Sequence, residues 1–217
     1  MNEQELLHFN QENVYCGQSP RGYGLTHFAK KDFKCNAVIM KGFGKLVRHQ
    51  TSHFSIQIGL NQHFIPHRWS GKYWNHSCEP NTFIRTRSDG FPNLIAQREI
   101  KAHEEINYAY YMTEYEWSEK AEENSIMCQC GAQHCTGKIL SFSQLSFQEQ
   151  LTLKMDRRIS HYLGELVRIK QHLLRTKYFP SDDDLSSQVK EISPYLKEIV
   201  VKKSHFVILN NPSITKV

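Results

Sequence analysis

The stretch Trp74-Asn75-His76-Ser77-Cys78-Glu79-Pro80-Asn81-Thr82, WNHSCEPNT, lines up an amide, an imidazole, a hydroxyl and a thiol in consecutive positions. A second asparagine follows directly after a proline. Core packing asks for apolar residues at a period of 2 or 3.6, and this string offers neither. It reads as a site segment or an unusual turn.

The residues around it form a β-rich block from Tyr23 to about Tyr111. NAVIMKGFG (36–44) is a strand candidate ending in glycines, and PNLIAQREI (92–100) is another. In HFSIQIGL (53–60), Phe54, Ile56 and Ile58 alternate with Ser55 and Gln57, the period of a half-buried strand. EEINYAYY (104–111) puts Ile106, Tyr108 and Tyr110 on one strand face. Two phenols so spaced suit a narrow aromatic tube that holds an aliphatic stem carrying an amine. They also suit an ordinary strand, which favours tyrosine. Gly22 and Gly24 flank Tyr23 in SPRGYG. They form a turn or let main chain approach a ligand, without the spacing of a dinucleotide fingerprint.

Downstream, CQCGAQHC places Cys128, Cys130 and Cys135 in a C-x-C-x(4)-C pattern. Structural zinc takes four ligands in a tetrahedron, so three thiolates here need a fourth. His134 is adjacent, and Cys78 of the opening stretch is the better candidate. Cys16 and Cys35 have no spacing partner and read as small buried hydrophobes. A zinc-stabilised loop without chemistry is the plain alternative.

Beyond Cys135 the pattern turns helical. Ser146 and Glu149 fit a capping box. Met155, Ile159, Tyr162, Leu163, Leu166 and Leu173 recur at helical spacing, which predicts one helix of roughly 25 to 30 residues. Pro180 breaks it, Ser181 or Asp182 would cap a second helix, and the apolar run in SHFVILNN reads as a strand. Residues 1–20 are a polar lead-in with one short helix.

The totals bound the rest. The chain has 217 residues, 39% hydrophobic and 23% charged, which suits one folded core with an appendage. A net charge of +5, much of it after position 150, falls short of the dense basic face of a nucleic-acid binder. Direct nucleic-acid binding is therefore disfavoured. No apolar run is long enough for a bilayer, and the first residues lack a secretory pattern. The expected compartment is cytoplasmic or nuclear, where thiols stay reduced and serve as ligands.

Four motifs in order, RGYG (21–24), NHSCEPN (75–81), EEINYAY (104–110) and CQCGAQHCTG (128–137), resemble the SET-domain protein lysine methyltransferases with their post-SET cysteine segment. The likeness is to compact, stand-alone members. It covers roughly residues 18–140. It implies a mostly β fold with some helix: several small curved sheets, a pseudoknot-like crossing where the asparagine motif meets the tyrosine segment, a zinc-bound post-SET loop and a helical C-terminal extension. The implied segments are a lead-in (1–17), SET domain (18–115), post-SET zinc segment (116–140) and extension (141–217).

The resemblance further implies S-adenosyl-L-methionine as cofactor, one structural zinc ion, and a protein lysine as acceptor. Asn75 and His76 would hold the methionine end of the cofactor, with Arg21, Gly22, Tyr23 and Gly24 passing beside it through main-chain groups. Lys72 and Tyr73 would run along it, and Ile139 or Leu140 would cover the adenine. Tyr110 matches the catalytic tyrosine. Tyr108 matches the position that influences methyl number, where a tyrosine favours mono- or dimethylation. Cys78 would join Cys128, Cys130 and Cys135 on zinc. The chain departs from the family at His103, where glycine is usual, and at Ala109, where aspartate is common. Competing readings are a catalytically silent SET module that binds a protein partner and a zinc-stabilised nucleic-acid binder. The amphipathic C-terminal helix would either cover the SET core or pair two copies into a homodimer.

Overall fold

The computed structural model describes residues 1–116, 126–176, 199–202 and 205–208. The chain divides into two units, Met1–Leu163 and Gly164–Val217.

The first unit opens with helix α1 (Glu3–Asn13), started by a capping box in which Asn2 and Glu5 satisfy each other's free amides. Ten short strands follow: β1 (Val14–Gln18), β2 (Leu25–Ala29), β3 (Val38–Lys41), β4 (Gly44–Val47), β5 (Ile56–Gly59), β6 (Gln62–Pro66), β7 (Asn75–His76), β8 (Thr82–Thr86), β9 (Pro92–Ala96) and β10 (Glu105–Tyr108). They make three small sheets, ordered β1-β2-β10-β7, β3-β9-β8 and β4-β6-β5. Ile39, Met40, Ile84, Leu94 and Ile95 from the second sheet are fully buried, as are Phe64, Ile100 and Ile106. Removing such side chains from water is the main favourable term in the fold. Gly44 is required where β4 meets β6, because a Cβ there would stand 2.1 Å from the Ile65 carbonyl oxygen.

The order of the first sheet positions the site. β10 lies between β2, which it pairs antiparallel, and β7, which it pairs parallel through Asn107–Asn75 and Tyr108–His76. A strand late in the chain is thus held on both edges by earlier segments, and the asparagine motif and tyrosine segment do meet in a crossing.

Two expectations need correction. The strand ends at Tyr108, and Tyr110–Met112 form a 3-10 turn, so strand alternation does not place Tyr110. The single long helix is two: α2 (Phe147–Met155), with its Ser146–Glu149 capping box, and α3 (His161–Thr176). Between them Arg157 adopts φ 55°, while its amide and that of Arg158 bond back to Lys154 and Leu153. That is a Schellman-type stop with arginine where glycine is usual. Met155 consequently faces solvent, 79% exposed, while Ile159, Tyr162 and Leu163 are buried.

The second unit holds the remainder of α3 and an antiparallel hairpin of β11 (Ile199–Lys202) and β12 (His205–Ile208), so the apolar run of the tail does include a strand. The break at Pro180 and the helix expected after it lie outside the described residues.

Candidate active site and cysteine centre

Each polar residue of the opening stretch goes to a different place. Asn75 donates from Nδ2 to the Leu25 carbonyl, 3.0 Å, tying β7 to the end of the glycine turn. His76 accepts at Nδ1 from the Tyr110 amide, 3.2 Å, and its ring meets the Tyr110 ring edge-on at 5.2 Å. Burial holds the His76 imidazole down at about 4, so it is neutral at physiological pH. Its Nε2 lies 3.4 Å from the Cys78 sulfur. Asn81, 1% exposed, exchanges bonds with Asn107: each backbone amide donates to the other's Oδ1, at 3.0 Å.

A cavity of about 410 Å³ opens beside this crossing. It brings together Tyr23, Gly24, Lys72, Tyr73 and Asn75 with Tyr108 and Tyr110. The Tyr108 ring stands between Trp74, edge-on at 6.1 Å, and Tyr110 at 5.3 Å. Its hydroxyl is 3.3 Å from Thr113 Oγ1. Burial drives both phenols above their ordinary range, so they remain protonated donors. Lys72 lies over the Phe54 ring at 5.0 Å.

Gly22 and Gly24 have φ of 82° and 92°, and a Cβ on either would meet nothing within 4 Å. Main chain here borders open space, as close approach by a ligand requires. Arg21, Gly22, His76 and Leu140 are not among the residues lining this cavity. Arg21 instead reaches the cysteine segment, donating from Nη1 to the Cys130 carbonyl.

The sulfurs of Cys78, Cys128, Cys130 and Cys135 all lie within 4.8 Å of one another. Tetrahedral zinc with bonds of about 2.3 Å sets its sulfurs about 3.8 Å apart. The Cys78 sulfur is 3.7 Å from that of Cys128 and 3.9 Å from that of Cys135, so the donor set fits such an ion. Amides support it: Cys78 N–H points at the Cys130 sulfur and Gly137 N–H at the Cys135 sulfur, each at 3.4 Å. His134 is outside this group and bonds Glu79 instead. Cys35 is exposed and Cys16 half-buried, which corrects their reading as buried hydrophobes. Cys35 Sγ lies 3.3 Å from the Gln97 carbonyl, a polar partner that spacing did not suggest.

Residues 22–111 match the family described as SET domain. This region is a SET domain. Relatives are histone-lysine methyltransferases. The chain is 33% identical over 88 residues to Putative histone-lysine N-methyltransferase 1 of Plasmodium falciparum, covering 37% of this chain and 1% of that protein. It is 38% identical over 78 residues to human histone-lysine N-methyltransferase SETDB2, covering 32% and 10%. Among solved structures, KRYPTONITE in complex with mCHH DNA, an H3(1–15) peptide and SAH is similar with a TM-score of 0.49 and 20% identity, covering 59% and 29%. The chain spans no more than about a tenth of the length of the two curated relatives named here.

Sequence reasoning left two residues of this crossing and its cavity without a role. Asn81 was seen only as a second amide, yet it clamps the crossing. Glu114 carried no signal, because a lone acid after a turn reads as surface. It is buried, lines the cavity with Tyr108 and Tyr110, and is pushed up to about 7 by its burial. The family's usual glycine position is explained by His103, whose φ of 68° lies in the region glycine favours.

Proposed function

We propose that this SET domain transfers a methyl group from S-adenosyl-L-methionine to the side-chain amine of lysine in a protein, histone or non-histone. The observation that carries the reading is the shared cavity: residues matching the cofactor-binding motifs and both motif tyrosines line one space. When bound, the cofactor supplies an electrophilic sulfonium methyl. Tyr23, Gly24, Lys72, Tyr73 and Asn75 would hold it, with Arg21, Gly22, His76 and Leu140 at its margins. A neutral His76 suits a cationic ligand, since an imidazolium there would repel it.

The aromatic walls of Trp74, Tyr108 and Tyr110 exclude water and pack an aliphatic stem, and their faces attract an ammonium. The Tyr110 hydroxyl orients the amine lone pair, an effect of proximity and preorganised polarity. Tyr108 crowds the amine, which favours mono- or dimethylation. The four cysteines would hold one zinc ion in a structural role, with no open position for chemistry. The segment boundaries 18–115 and 116–140 serve as the catalytic and zinc-binding parts, residues 1–17 as a lead-in and 141–217 as an extension.

The test is transfer of labelled methyl from S-adenosyl-L-methionine to proteins of a mixed lysate and to core histones. Tyr110→Phe removes one positioned hydroxyl and should cut the rate on the order of 100-fold. Cofactor binding by calorimetry without label in any protein would refute the enzyme and favour a silent partner-binding module.

A further inference from the structure

Glu114 is a buried carboxyl that makes no ion pair among the described residues. Its Oε1 accepts from the Gln57 amide at 3.0 Å and from the Thr113 hydroxyl at 3.1 Å. Thr113 Oγ1 in turn lies 3.3 Å from the Tyr108 hydroxyl. Burying a carboxylate costs several kcal/mol unless a cation or dense hydrogen bonding compensates. The titratable groups facing it are phenols: Tyr108 from β10, Tyr110 from the following turn and Tyr162 from the start of α3. Burial keeps all three neutral. The cavity's own cation, Lys72, lies over the Phe54 and Tyr73 rings. His53 also lines the cavity. Glu114 therefore holds an acidic oxygen at a space bounded by aromatic rings, with no ion-pair partner among the described residues.

We propose that Glu114 receives the ammonium of the incoming lysine and accepts the proton it sheds. This rests on the lysine methylation proposed above and adds a catalytic residue to it. A carboxylate and an ammonium in an aromatic cavity lose hydration on both partners, and neutral acid plus free amine relieves that cost. In the step, one N–H bond breaks and its electron pair stays on nitrogen. The proton forms an O–H bond on Glu114, which later returns it to water. The amine is left with the lone pair it needs as a nucleophile. The raised pKa of about 7 matches such a base, close to working pH.

Carbon-13 NMR of protein labelled at glutamate carboxyl carbons tests this with n-butylammonium as probe and n-butanol as uncharged control. The Glu114 signal is the one absent from Glu114→Gln, a variant that keeps Oε1 as acceptor for Gln57 and Thr113. In wild type it should titrate near 7, move to lower pH with butylammonium, and ignore butanol. Glu114→Gln should bind butylammonium about tenfold or more weakly, the expected loss of a charge-assisted hydrogen bond.

A wild-type signal unmoved by butylammonium, or unchanged affinity in Glu114→Gln, overturns the proposal and leaves Glu114 a tie between Gln57 and Thr113. If Glu114→Gln does not fold, Glu114→Asp replaces it, with the same loss expected in smaller measure. None of these readouts needs turnover. Butylammonium binding at Glu114 without methyl transfer by wild type would support this site while refuting the function proposed above.

Discussion

Asn81→Ala should cost the SET domain about 4 kcal/mol of stability, and the arithmetic comes from its bonds. The side chain donates to the Glu105 carbonyl at 2.7 Å and to Glu104 Oε1 at 3.0 Å, and accepts from the Asn107 amide at 3.0 Å. Alanine strands the Glu105 carbonyl and the Asn107 amide inside the crossing. A buried polar group left without its partner costs about 1–3 kcal/mol, so the two together give about 2–6. The Glu104 contact, partly exposed, adds less. Against a typical total of about 5–15 kcal/mol, that is a large fraction. Asn107→Ala provides the internal comparison, since its side chain accepts from the Asn81 amide at 3.0 Å. Its cost should be about 1–3 kcal/mol. Urea unfolding followed by circular dichroism measures both. With a slope of about 2 kcal/mol per molar, the midpoint for Asn81→Ala should fall by about 2 M. A loss below about 0.5 kcal/mol, or a larger loss for Asn107→Ala, would refute the claim that Asn81 clamps the crossing.

A chelator such as dipicolinate should release one zinc per chain and lower the melting temperature, and Cys128→Ser should carry less metal by elemental analysis. Stability should rise with pH between about 4 and 6.5, because His27, His63 and His76, all held down to about 4 chiefly by burial, bind protons only when unfolded. Glu114 opposes this between about 4.5 and 7, holding a proton in the folded state that the unfolded chain has lost. Each shift is worth about 3 kcal/mol at most, so three histidines outweigh one carboxyl, and Glu114→Gln should gain stability over wild type as pH rises from about 4.5 to 7, with no further gain above that. Melts across this range read both trends. At His103, Gly should be more stable than Ala by about 1 kcal/mol in chemical denaturation, because only the glycine adopts φ 68° without strain.

What the sequence revealed follows from how local each signal is. The alternation in HFSIQIGL and the capping box at Ser146 depend on neighbouring residues, and β5 and α2 appear where they point. Three cysteines within eight positions read as metal ligands, and the Cys78 sulfur lies within 4.8 Å of theirs. The errors share a different cause. Arg157 stops a helix in a conformation usually marked by glycine, so no residue type announced the break. Tyr110 reaches the cavity through a turn, although the alternation gave it a face by strand geometry. Glu114 is buried by elements distant in sequence, Gln57 on β5 and the rings of Tyr108 and Tyr162, and a single acid gives no hint of such surroundings.

The Trp74–Thr82 segment is dense in polar residues because one short stretch serves several long-range partners. Extended backbone sends Asn75 and His76 to opposite sides, and the bends that follow aim Cys78 and Asn81 at other neighbours. Asn75 turns to the glycine turn and cavity, His76 to the Tyr110 amide, Cys78 to the other thiols and Asn81 to β10. This wiring couples the cysteine centre to the cavity over a very short path: only Ser77 separates Cys78 from His76, and His76 accepts directly from the Tyr110 backbone. Loss of metal would free Cys78, and the constraint on His76 would go with it. Chelation should therefore slow the proposed methyl transfer even though the proposed zinc is structural, and should do so together with loosening of the Tyr110 turn, read as faster hydrogen exchange of its amide. Slowed transfer with an unchanged Tyr110 amide would break this link.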